Sequence, residues 1–242
     1  MSQLGTVGFI IVITNFLCSY IGFKDFTFFE RYKFQISKIR IDKNYVRMLS
    51  SGFLHVNWSH LLFNMFSFYS FASIIERGIG STYFSLIYFI SLLGGNFFAL
   101  VIHKNRPKYS AVGASGAVSG IIFAAIALFP EIRISLLFIP IGIPSWLFGL
   151  LFISYTIYGI KSNRDTIGHE AHLGGAVLGM LTSILLYPNV IIVNFIPIAL
   201  TLAPTFIFLS VFVFKTNNRF SNSSFVQTFK RNPDDQNELK KK

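Results

Sequence analysis

Residues 110–130 read SAVGASGAVSGIIFAAIALFP, an uncharged stretch headed by Gly113, Ala114, Ser115 and Gly116. A run of about 20 apolar residues is long enough to cross a bilayer as a helix. Polar groups inside such a run are costly, so Ser115 is a functional candidate. Two other uncharged runs carry comparable groups. One holds His60-Leu61-Leu62-Phe63-Asn64, and another opens with Ala171-His172-Leu173-Gly174-Gly175.

The whole chain has the same character. Of its 242 residues 52% are hydrophobic and 13% charged, against roughly 25% charged in a soluble domain. The uncharged runs are 4–23, 57–75, 81–102, 110–130, 134–160, 171–187 and 190–214. Each is expected to be a helix, because hydrocarbon offers the backbone no other partners. The reading is an all-α, polytopic membrane protein with seven spans. Pro140 and Pro144 interrupt the fifth run, so its helix is expected to start near Pro144, where a missing N–H costs least. The first run lacks a basic leader and a small-residue cleavage site, and reads as a retained helix. Cys18 is the one cysteine, which excludes an internal disulfide framework.

Between the first two runs lies a loop, 24–56, rich in aromatic and basic residues such as Phe26, Phe29, Arg31 and Lys33. It is expected to be ordered and membrane-associated. The tail, 215–242, is basic and polar and reads as disordered, drawn to anionic lipid. The net charge of +11 does not imply nucleic acid, because no nucleic-acid-binding fold accompanies it.

Chemistry follows from the residue types. A serine hydroxyl becomes a nucleophile when a base takes its proton. Near a helix N-terminus, free N–H groups and the dipole favour developing negative charge. His60 and Asn64, four apart, share one helical face and offer donors for an oxyanion. His55, five residues before His60, reads as a residue that orders the start of that helix. Gly116 and Gly120 in one run, and Gly175 and Gly179 in another, form small-xxx-small patterns that let helices pack backbone to backbone. Close packing of those two helices would bring Ser115 and His172 within reach of one another. His169-Glu170-Ala171-His172 is one residue short of a zinc-binding His-Glu-x-x-His, so no metal site is read there.

Taken together, Gly-Ala-Ser-Gly, His-Leu-Leu-Phe-Asn and Ala-His-Leu-Gly-Gly, in this chain order, resemble the rhomboid intramembrane serine proteases. Glu76-Arg77 with Gly80 is similar to that family's Glu-Arg-x-x-Gly segment. The resemblance covers about residues 47–179. It implies Ser115 as nucleophile and His172 as general base. It further implies Asn64, His60 and the Ser115 N–H as the oxyanion site, supported by Gly113, Gly116 and His55. It implies no metal or organic cofactor. The substrates would be transmembrane segments of other proteins. The implied architecture is a six-helix core over 1–187, an additional span over 188–214 and the tail. A catalytically inactive rhomboid-like membrane-protein binder or chaperone is the alternative. Val46-Arg47 stands where the family has Trp-Arg, which puts the anchoring of the 24–56 loop in question. The expected location is the plasma (inner) membrane of a bacterium. With the family's N-inside topology, the inner loops would hold only Arg77 and Arg133, against the positive-inside rule.

Overall fold

The computed structural model describes residues 3–136, 139–162 and 167–211, and their side chains except at 135–141. The 215–242 tail lies outside the described residues. The helices are α1 (Thr6–Lys24), α2 (Phe26–Tyr32), α3 (Ile36–Arg40), α4 (Arg47–Ser50), α5 (Trp58–Ile102), α6 (Ser115–Leu128), α7 (Ser145–Ser162), α8 (His169–Leu186) and α9 (Val190–Val193). The short strands are β1 (Phe34–Gln35), β2 (Ser110–Ala111), β3 (Arg133–Leu136) and β4 (Ile139–Pro144). An apolar helix over Phe195–Val211 ends the described chain. Contacts divide the protein into two units, Met1–Leu202 and Ala203–Lys242. In the second, residues 203–211 are helical. All that follows concerns the first.

α5 is 45 residues long, or about 68 Å if straight, more than twice the ~30 Å hydrocarbon core. It is not straight. Gly80, at φ 80 and ψ 158, breaks it into two arms. Only glycine adopts that conformation readily. Phe68 of the first arm packs on Phe84 and Tyr88 of the second, with ring centroids 6.0 and 5.6 Å apart. Runs 57–75 and 81–102 are therefore two helices folded against each other.

Just before that kink, Glu76 is buried, and its carboxylate accepts hydrogen bonds from the Val7 N–H (3.0 Å), the Gly8 N–H (2.9 Å) and the Ser81 hydroxyl (2.7 Å). The N-terminal residue of α1 offers no side-chain cap. Glu76 supplies one from a distant part of the chain, with the charge that a helix N-terminus favours.

α5, α6 and α8 form the packed centre. Every residue of α6 from Gly116 to Ala127 is buried. α6 meets α8 without intervening side chains: a Cβ on Gly175 would fall on the Gly116 carbonyl, and one on Gly179 would fall on the Gly120 backbone. On its other side a Cβ on Gly174 would lie 3.1 Å from the Gly95 Cα of α5. The small-xxx-small pattern thus closes α6 on α8, as the sequence predicts.

One expectation needs correction, the expected helix start near Pro144 holds, and the anchoring of the 24–56 loop is answered. Run 110–130 is not helical from its start: Ser110 and Ala111 pair with Gln35 and Phe34 as strands, and α6 begins at Ser115 itself. The first part of the fifth run is an antiparallel hairpin, with Arg133 opposite Pro144 and Ile134 opposite Ile143. Two prolines and repeated isoleucines disfavour a helix there, and α7 starts directly after Pro144. The 24–56 loop is also anchored without the family's tryptophan. Arg47 is 6% exposed, and its Nη1 donates to the carbonyls of Glu30 (2.9 Å) and Lys33 (2.8 Å). Val46 beside it is 62% exposed. The guanidinium ties the loop back on itself, together with the Ser50 hydroxyl, which donates to the Tyr32 carbonyl at 2.8 Å. Phe34, Ile36 and Ile39 from this loop, with Ala99, form a small buried cluster that seats it on α5.

Backbone contact at Gly175 leaves no space for a side chain, and overpacking of a tight core costs about 1–3 kcal/mol or more. Gly175→Val is expected to lose fold and activity together. Gly116→Val should cost less, because a Cβ there would lie 3.2 Å from the Ala171 carbonyl. Thermal unfolding of the variants in detergent measures this; a Gly175→Val protein as stable as wild type would refute the close-packing account.

Candidate active site

Ser115 is the first residue of α6, with Ala114 as its N-cap. The first helical bond runs from the Val118 N–H to the Ala114 carbonyl at 2.9 Å. The N–H groups of Ser115, Gly116 and Ala117 therefore have no acceptor within their own helix. The chain enters this turn through Gly113, at φ 131, a conformation that favours glycine. The Gly113 N–H donates to the Ser51 carbonyl at 3.0 Å.

His55, in the loop ahead of α5, stands directly behind that turn. The Ala114 N–H donates to His55 Nε2 at 3.5 Å, so the ring proton sits on Nδ1. Nδ1 then donates to Ser19 Oγ of α1 at 2.9 Å, and the Ser19 hydroxyl donates to the Phe53 carbonyl at 3.0 Å. This chain needs a neutral imidazole. Burial, with His60 adding to it, pushes the His55 imidazole down from 6.5 to about 3. His55 thus connects α1 to the turn that carries Ser115.

His60 packs edge-on against His55, with ring centroids 4.9 Å apart. Its Nε2 edge faces Gly113, where a Cβ would lie 3.0 Å away. Asn64, 4% exposed, donates one amide N–H to the His60 carbonyl at 3.0 Å. Its second amide hydrogen remains for another acceptor. On α8, His172 lies one turn before Gly175, and its ring sits 6.0 Å from that of Phe152 on α7.

Ser115, His172, His60, Asn64 and Gly113 all line one cavity of about 760 Å³. Gly116 and His55 do not line it: Gly116 is spent on helix packing, His55 on holding the turn. The rival zinc reading leaves Glu170 and His169 to other partners. Glu170 meets His103 at 3.0 Å, and His169 packs on Tyr155 with ring centroids 5.2 Å apart.

Sequence reasoning passed over several lining residues. Asn96, His103, Lys33 and Tyr109 also face the cavity. Asn96 had a signal, a carboxamide midway along an apolar run. It donates to the Met48 carbonyl at 2.7 Å and so holds the 24–56 loop. Lys33 and Tyr109 lie in connecting segments, where no periodic pattern marks them.

The His55 arrangement predicts acid sensitivity. The folded-state value of about 3 lies below the unfolded value near 6.5, so stability is full above pH 6.5 and falls below it. The loss is about 1.4 kcal/mol per unit, or roughly 2 kcal/mol by pH 5. Melting temperatures in detergent at pH 7.5 and 5 should differ more for wild type than for His55→Gln. Equal differences would sink this assignment.

Comparison with known proteins agrees with the geometry. A model of the Rhomboid domain matches residues 42–189. RHOMBOID-like protein 12, mitochondrial, of Arabidopsis thaliana is 30% identical over 150 residues, covering 55% of this chain and 44% of that protein. Rhomboid protein 1, mitochondrial, of Saccharomyces cerevisiae is 28% identical over 148 residues, covering 58% and 43%. Rhomboid-like protein 11, chloroplastic, of Arabidopsis thaliana is 31% identical over 144 residues, covering 56% and 50%. The chain thus spans half or less of the length of these relatives. Their names place them in organelles, which overturns the expectation of a bacterial plasma membrane. The match of the Rhomboid domain to residues 42–189, more than half of this mostly helical membrane protein, establishes that the chain belongs to the rhomboid family.

Proposed function

We propose that this chain is an intramembrane serine endopeptidase of an organellar membrane, cutting transmembrane segments of other proteins. The observation that carries the reading is the shared cavity, which holds Ser115 at a helix N-terminus together with His172, His60 and Asn64. α6 has 14 residues, or about 21 Å of helix, short of a ~30 Å hydrocarbon core. With its C-terminal end at one interface, α6 leaves Ser115 roughly 9 Å beneath the other. That depth suits a membrane-embedded peptide bond, and the cavity gives water a path to it.

In the proposed reaction, Ser115 Oγ attacks the scissile carbonyl carbon while its proton passes to His172. The carbonyl oxygen becomes an oxyanion. The Ser115 N–H, the free amide hydrogen of Asn64 and a ring N–H of His60 stabilise it. Collapse breaks the C–N bond, and His172 gives its proton to the leaving amine. Water, deprotonated by His172, then releases the acyl group and restores Ser115. A carboxylate is not needed to orient His172 in this scheme.

The exposed apolar residues of the 24–56 loop, including Phe26, Ile41 and Tyr45, support a loop seated in the membrane interface. The additional membrane span expected over 188–214 is read onto the Phe195–Val211 helix; residues 212–214 lie outside the described residues.

Cleavage of a transmembrane reporter protein in liposomes tests the function. Ser115→Ala and His172→Ala should abolish it while membrane insertion is unchanged. Asn64→Ala should lower the rate on the order of 100-fold, the usual cost of one oxyanion donor. Undiminished cleavage by Ser115→Ala would refute the mechanism. Reporter capture with no cleavage by wild type would instead favour a non-catalytic membrane-protein binder.

A further inference from the structure

Two buried ionisable side chains in the cavity wall have no part in the scheme above. His103, 3% exposed, follows the last residue of α5, and Glu170, 6% exposed, is the second residue of α8. His103 Nε2 lies 3.0 Å from Glu170 Oε1. The opposite requirement, a flat aromatic partner, is met by Tyr109, whose ring stacks on His103 at 3.7 Å with an 18° tilt. Phe34 closes the stack edge-on at 6.3 Å.

The partners of His103 are placed unusually. Glu170 is two residues before His172. Tyr109 directly precedes β2, which leads through Gly113 into Ser115. The Tyr109 carbonyl also accepts from the Ile36 N–H at 3.1 Å, so its backbone is held. One imidazole therefore touches both the helix start that carries the base and the segment that carries the nucleophile. Burying a histidine and a carboxylate is costly unless they meet each other. A stability-only role would be served as well by apolar side chains of similar size.

We infer that His103 and Glu170 are positioning residues for the Ser115–His172 pair. Their contact sets the start of α8 relative to the strand entering Ser115, so that His172 stands in line with Oγ. The inference rests on the protease reading. Misplacement of a catalytic group by about 1 Å costs on the order of 100-fold in rate. Glu170, two positions before His172, lies about 200° around α8 from it and acts only through the backbone.

The test is the rate at which a fluorophosphonate labels Ser115 in the full-length protein in detergent. Oγ displaces fluoride from phosphorus and the proton passes to His172, so the rate reports their alignment without any substrate. Glu170→Ala and His103→Ala should each slow labelling by 10-fold or more with little change in melting temperature. The double variant should be no slower than the worse single, because both break one device. Glu170→Gln, which keeps the length of the side chain and its contact with His103, should restore labelling to within about threefold of wild type. Should Glu170→Ala not fold, Glu170→Asp withdraws the carboxylate by one methylene and should still slow labelling severalfold. Wild-type rates in these variants, or losses that multiply in the double, would overturn the inference. Wild-type protein labelling no faster than Ser115→Ala would overturn the protease reading, and the inference with it.

Discussion

Direct backbone contact between α6 and α8 is the constraint on which the rest depends. In a membrane the helices gain nothing from hiding apolar side chains from water, since lipid is equally apolar. They gain from close van der Waals approach. Gly116 against Gly175 and Gly120 against Gly179 remove every side chain from the contact. Ser115 and His172 are each adjacent to, or one turn from, a residue of that contact. Both line one cavity beside that contact.

Around this axis the protein uses polar groups as ties rather than as surface. Glu76 caps α1, Arg47 folds the 24–56 loop onto itself, and Asn96 holds that loop from α5. His55 spans from α1 to the Ala114 N–H. Each tie satisfies backbone groups that would otherwise be orphaned in a low-dielectric setting, where an unpaired polar atom is expensive. Of these, the His55 tie reaches the turn before Ser115 directly.

The cavity is lined by both apolar and polar groups. Its walls mix apolar faces such as Phe148, Phe152 and Ile122 with Ser115, Asn64 and the histidines. The 24–56 loop is seated by Phe34, Ile36 and Ile39. Strand pairing of Phe34 with Ala111 fixes that loop to the entry of the site. The loop and the segment leading into Ser115 are therefore joined by backbone pairing.

Much was legible in the residues alone. Helical membrane character follows from long uncharged runs, because hydrocarbon leaves the backbone no choice. The glycine spacing announces which helices touch, since four-residue periodicity puts small residues on one face. Ser115, His60, Asn64 and His172 stand out because polar groups in such runs are costly. Other features had no one-dimensional signal. That the Arg47 guanidinium anchors the loop without a neighbouring tryptophan, and that Glu76 caps a helix 68 residues away, depend on contacts distant in sequence. Local periodicity carries no information about these. The helix start after Pro144 was legible from the prolines, whereas the pairing of β3 with β4 ahead of it was not. His103 meets Glu170 and Tyr109 only once α5 and α8 have docked. The sequence by itself marked most of the helical segments and the pair that packs closely; tertiary structure decided where the short strands replace helix and which polar atoms meet, because a buried polar group takes whatever partner the packing of distant helices brings to it.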